Sequence, residues 1–100
     1  MVRSVLSLRA QPGRGAEVVA LFEELGILRE ASVVPGFVAA ELQAVADDPD
    51  ELLVTATWRS AAAYDAWLES PVRELMRPAL EALLARPPVP RVYELVQTHP

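Results

Sequence analysis

Both alternating positions of the segment Phe37–Val45 are largely apolar, with Phe37, Ala39 and Val45 on one parity and Val38, Ala40, Leu42 and Ala44 on the other. A strand with one face on a core and one in water alternates apolar with polar, so this segment needs cover on both sides. In a chain of 100 residues that is a severe requirement. Such a length supplies one domain and one core, and a small domain has much surface for its volume. Helices of the same chain can cover one face of a sheet. The second face is expected to lie against another copy of the chain, most simply as a homodimer related by a two-fold axis.

The other segments define that sheet and its cover. Val2 to Ala10 is aliphatic and β-branched and closes at Gln11-Pro12-Gly13, which reads as a strand ending in a turn. From Gly15 on, Val18, Leu21, Phe22, Leu25 and Leu28 recur at spacings of three and four, with Glu17, Glu23, Glu24 and Glu30 on the wet side. This is an amphipathic helix, weakened locally by Gly26. Pro35-Gly36 turns the chain into the second strand. The acidic run Asp47-Asp48-Pro49-Asp50 reads as a polar hairpin turn, and Leu52 to Trp58 as a third strand antiparallel to the second. Ser60 is placed to cap a helix opening at Ala61. Ser70-Pro71 restarts it, with Ser70 as cap and Pro71 at the first helical position. The restarted helix passes Leu75, Met76, Leu80, Leu83 and Leu84, with a kink expected at Pro78. Arg86 to Pro90 reads as a stiff connector and Arg91 to Gln97 as the last strand.

The order β-α-β-β-α-β is that of a ferredoxin-like α+β domain over residues 1–100, a four-stranded antiparallel sheet with its helices on one face. Pairing two such sheets through their open faces gives a dimeric α/β barrel.

Composition removes several kinds of chemistry. The net charge of −5 argues against a nucleic-acid backbone or an anionic membrane as partner. With no Cys, disulfides, thiolate catalysis and cysteine metal sites are excluded. A single His, His99, sits next to the terminal residue, where order is least expected, and makes most metal chemistry improbable. The carboxylates from Asp47 to Glu51 lack the glycine-centred spacing of a calcium loop and read as a solvated turn. No apolar run reaches the ~20 residues of a membrane span, and no signal region opens the chain. A soluble, cytoplasmic protein is the expectation.

Three short motifs carry a family resemblance. Val34-Pro35-Gly36-Phe37 resembles the turn before the second strand of antibiotic-biosynthesis-monooxygenase domains. Trp58-Arg59-Ser60-Ala61-Ala62-Ala63-Tyr64 resembles their junction between third strand and second helix, and Ser70-Pro71 their restart of that helix. The resemblance spans nearly the whole chain and implies the dimeric barrel. It also implies a site between sheet and helices. In the quinone-forming oxygenases of aromatic polyketide pathways that site uses Trp, Tyr, Arg, Asn and His. Trp58 and Tyr64 match the first two at the same spacing, and Arg77 matches the Arg once a one-residue gap is allowed. Val54 stands where the Asn is, and Gln43 where the His is. The haem-degrading branch is similar at Trp67-Leu68-Glu69-Ser70, but Arg77 occupies the position of its haem-ligating His, and an Arg is no ordinary axial ligand.

The resemblance thus implies a cofactor-independent monooxygenase acting on an aromatic, polyketide-like small molecule. Arg77, Tyr64 and Trp58 would be catalytic, and Trp67, Gln43, Val54, Glu41 and Arg73 would bind substrate. Such chemistry needs a cation and a donor for an enolate-like anion inside a dry aromatic pocket. Two other readings stay open: a cyclase or isomerase with Glu41 or Glu94 as acid or base, and a binding module without catalysis. Plainer roles compete residue by residue. Trp58 can be a core anchor, Trp67 can pack on the sheet, and Tyr64 can hold a structural hydrogen bond. Arg73 and Arg77, four apart among Glu69, Glu74 and Glu81, can form a solvated salt-bridge face. Glu41 and Glu94 can pair with Arg across a dimer.

Overall fold

The computed structural model describes residues 1–100. Its strands are β1 (Val2–Arg9), β2 (Phe37–Val45), β3 (Asp48–Trp58) and β4 (Val89–Glu94). Its helices are α1 (Gly15–Leu25), α2 (Ile27–Ser32), α3 (Ala61–Leu68) and α4 (Pro71–Glu81). The sheet is antiparallel throughout in the order β2-β3-β1-β4, so the expected ferredoxin-like α+β architecture is the one observed.

Several boundaries depart from expectation, each for a local reason. The first helix is two: Gly26 adopts φ 62°, ψ 40°, ends α1 in a left-handed cap and starts α2 in a new direction. The acidic hairpin is tighter than expected, because Asp48 already pairs with Val45 and only Ala46 and Asp47 form the turn. Asp48 also binds Arg9 at 2.6 Å. The carboxylate of Asp50 accepts the backbone N–H groups of Gly13 (2.9 Å) and Gly15 (2.8 Å), so it caps α1 from another element. Pro49 is tolerated because the β1–β3 ladder ends at Glu51, before it.

Ser60 caps α3 through its hydroxyl, which accepts from Ala63 N at 3.3 Å. Ser70 makes no such side-chain bond, and α4 starts on Pro71 alone. Helix α4 continues through Pro78. The last strand begins at Val89, not Arg91, and ends at Glu94; Pro90 fits because β4 is an edge strand. The Pro-Gly turn has a packing reason as well as a conformational one. Gly36 has φ 94°, and a Cβ there would lie 2.7 Å from the Ala63 Cβ.

Register assigns the faces. Over the paired stretch of Val2–Arg9 with Glu51–Trp58, even-numbered residues turn toward the helices and odd-numbered ones toward the open side. The helix side holds two hydrophobic clusters. One gathers Leu8, Ala10, Val18, Phe22, Leu52 and Leu84. The other gathers Val2, Ala31, Ala56, Trp58 and Ala63. Between them, on the same face, Leu6 pairs with Val54, and both are only partly buried. The sheet is covered at its two ends and less so across this middle rung. That gap positions the site.

Candidate active site

A cavity of about 390 Å3 lies over the Leu6–Val54 rung. Pro90, which pairs with Leu6 across β1 and β4, extends its floor. Helix α3 contributes Tyr64, Trp67 and Leu68, spaced so that they share one face. Helix α4 contributes Arg73, Met76, Arg77 and Leu80 at the same helical spacing, with Glu81 beside them. Pro87 and Pro88 close the β4 side, and Phe22 and Ile27 the back. Shape and composition suit a small apolar ligand: such sites typically run about 300–1,000 Å3 with a few placed polar groups. A smaller recess of about 60 Å3 shares Tyr64, Trp67 and Arg73 and reaches Trp58 and Ser4.

The polar groups have distinct environments. Tyr64 is partly buried, and burial pushes its phenol above the ordinary tyrosine range while the positive charge of Arg73 works against the rise. The phenol is therefore a neutral donor at physiological pH. Arg77 is ion-paired on two sides, to Glu74 (Nη2–Oε2 3.2 Å) and Glu81 (Nε–Oε1 3.7 Å), as the salt-bridge reading of this face expects. Arg73 has one ionic contact, to Glu74 at 3.9 Å.

Of the residues singled out in the sequence, the structure brings Val54, Tyr64, Trp67, Arg73 and Arg77 together around the cavity. Trp58 lies deeper. It is 1% exposed, stacks edge-on against Phe37 at 5.5 Å and tilts against Tyr64 at 5.9 Å. Its indole N–H donates to the Ser4 hydroxyl at 3.0 Å. The side chain anchors the core beneath the site, and its one donor is already used.

Gln43 and Glu41 are placed elsewhere. Their partners across the hairpin are Leu53 and Thr55, odd residues of β3, so both stand on the open face with the sheet between them and the cavity. Gln43 donates instead to the Thr55 hydroxyl at 2.9 Å. Glu94 is exposed at the end of β4, so neither carboxylate of the cyclase reading lines the cavity. His99 lies beyond the last strand and is exposed. No group of three or more His, Asp or Glu side chains is arranged to hold a metal ion.

Sequence reasoning missed Glu81, Met76, Leu6 and the proline rim. Helix phase could have found the first two, since Arg73, Met76, Arg77 and Leu80 form one stripe and Glu81 follows it. Strand parity sets Gln43 and Glu41 on the face opposite Leu42, and the register against β3 shows that Leu42 is the one facing the helices.

A ferredoxin-like domain with an aromatic-walled cavity between its sheet and helices is the class that this architecture defines. The chain belongs to the antibiotic biosynthesis monooxygenase family, whose pattern it matches over residues 1–78. It is 33% identical over 78 residues to Protein SchA of Streptomyces halstedii, a match covering 77% of this chain and 20% of SchA. The chain thus spans about a fifth of the length of that relative. Among solved structures, it is similar to SnoaB, a cofactor-independent oxygenase from Streptomyces nogalater, with TM-score 0.83, 24% identity, and 99% of this chain and 96% of that one covered. A protein from Nitrosomonas europaea described as a putative antibiotic biosynthesis monooxygenase gives TM-score 0.85 at 13% identity, covering 97% and 100%. At these identities the structural likeness speaks to the fold.

Proposed function

We propose that the chain is a cofactor-independent monooxygenase that oxidises an aromatic, polyketide-like metabolite, working as a cytoplasmic homodimer. The cavity carries this reading: an aromatic-walled, largely apolar space with a neutral phenol and two guanidinium groups on one side. An anthrone or hydroquinone can itself supply the electrons for O2, so the protein's task is to remove a proton and hold the resulting anion in a dry site.

For an anthrone the balance is as follows. The ring CH2 gives a proton to Glu81, the one carboxylate lining the cavity. The enolate oxygen left behind faces the Tyr64 hydroxyl and the Arg73 guanidinium. The carbanionic carbon bonds to one atom of O2 and, with a proton, becomes a hydroperoxide. Loss of the second C–H proton with cleavage of the O–O bond leaves a carbonyl on carbon and releases the other oxygen as water. Anthrone plus O2 gives anthraquinone plus water, a four-electron exchange on each side.

The homodimer has support in surface area. The chain exposes 6374 Å2, against about 5,600 Å2 expected of a compact monomer of this mass. The excess is close to one partner's share of a standard interface, about 800 Å2. Leu53, Val45, Val89 and Tyr93 are exposed on the open face, where pairing would cover them.

The test is oxygen uptake with a panel of anthrones and hydroquinones. Uptake above autoxidation, with one O2 consumed per quinone formed, is expected. Tight binding of the panel without uptake would overturn the oxygenase reading in favour of a binding module.

A further inference from the structure

Arg73 and Arg77 lie one turn apart on α4 and both line the cavity, yet they are not equivalent. Arg77 is 52% exposed and its charge is met by Glu74 and Glu81. Arg73 is 28% exposed, and its only ionic contact is the 3.9 Å approach to Glu74, its neighbour in sequence. Arg73 also lines the inner recess beside Tyr64 and Trp67, which Arg77 does not. An aromatic ligand filling this space would shut the partly exposed Arg73 guanidinium off from solvent. Burying a cation without an opposite charge is strongly unfavourable, so a neutral ligand is penalised where an anionic one is not.

We infer that Arg73 is the specificity-determining residue of the cavity and that it selects an aromatic ligand carrying an anionic oxygen, set beside the Tyr64 hydroxyl. The inference rests on the reading of this cavity as an aromatic substrate site. A planar guanidinium can give two parallel N–H bonds to a carboxylate and at least one to an ionised phenol. Tyr64 adds a donor that burial keeps protonated. Arg77, engaged by its own glutamates, shapes the rim.

The experiment titrates the protein with anthracene-2-carboxylate and anthracene-2-carboxamide by fluorescence, in the wild type, Arg73→Gln, Arg73→Lys and Arg77→Gln, with circular dichroism as the fold control. A second arm follows the absorbance of bound 1,8-dihydroxyanthraquinone at a pH where the free compound is neutral. A preference for the carboxylate of about tenfold or more is expected, lost in Arg73→Gln, kept in Arg77→Gln and partly restored in Arg73→Lys. Should the anion instead be a phenolate, the bound quinone shows the red-shifted spectrum of its ionised form, and Arg73→Gln removes it. Equal affinities with no spectral shift, or effects that survive Arg73→Gln, overturn the inference and leave the site reading standing. Failure of every aromatic probe to bind overturns the site reading itself.

Discussion

The indole N–H of Trp58 donates to the Ser4 hydroxyl at 3.0 Å, joining β1 to β3 inside the core. Both residues are buried, so neither group has water as an alternative partner. Through its contact with Tyr64 at 5.9 Å, Trp58 sets one wall of the cavity without entering it. Trp58→Phe should cost about 2–4 kcal/mol in urea unfolding, from lost packing and an orphaned hydroxyl. Ser4→Ala should cost about 1 kcal/mol. The double variant should cost less than the two single costs together, because the orphan has been removed.

Asp50 ties the hairpin to the start of α1 by accepting from Gly13 and Gly15. Asp50→Ala should destabilise the fold by about 1–2 kcal/mol, as removal of a helix cap does. Gly15→Ala should be worse. Its Cβ would lie 1.9 Å from the Pro49 carbonyl oxygen, so backbone must move. The checks are chemical unfolding of both variants and amide exchange of α1, which should quicken in each.

The element order was legible because most strands and helices are bounded by a Pro, Gly, Ser or Asp signal. The two-helix break at Gly26 and the role of Asp50 were not, since one depends on φ and the other on a contact 35 residues away. Helical spacing put Arg73 and Arg77 on one face of the last helix, which the structure shows both along the cavity and among the glutamates of a salt-bridge face. Gln43 and Glu41 were misplaced because a two-faced apolar strand hides which parity faces the helices, and only the register against Leu53 and Thr55 decides it. The spacing of Trp58 to Tyr64 carries no information about depth, so only the structure separates the core-anchor reading of Trp58, which it shows, from the substrate-facing one.

Tyr64 should ionise above the usual tyrosine range, since burial opposes its phenolate form. Arg73 is the positive charge that opposes this rise. Ultraviolet titration in a Tyr93→Phe background should therefore show a late tyrosinate signal, moved later still by Arg73→Gln. An unchanged titration in that variant would separate the two side chains.

Asp48 is held below its ordinary value by the Arg9 guanidinium, which donates to it at 2.6 Å. A depressed carboxylate stabilises the fold above the pKa of the unfolded chain, about 3.9, and that contribution is lost as pH falls through the lower folded value. Thermal midpoints of the wild type and Asp48→Asn should therefore differ most near pH 6 and converge toward pH 2. Both side chains are partly solvated, so the difference should be small and should shrink in salt.

Everything proposed about activity depends on the space over the Leu6–Val54 rung. Val54→Trp fills that space from its floor, where the side chain is only partly buried at the edge of the Leu8 cluster. The most direct measurement is quinone formation and oxygen uptake on an anthrone by this variant beside the wild type, with matched unfolding curves. Catalysis in the wild type and its loss by at least about a hundredfold in a folded Val54→Trp protein, roughly 2.7 kcal/mol of transition-state stabilisation, is the predicted result. Equal turnover in the two proteins would place the chemistry somewhere other than this cavity.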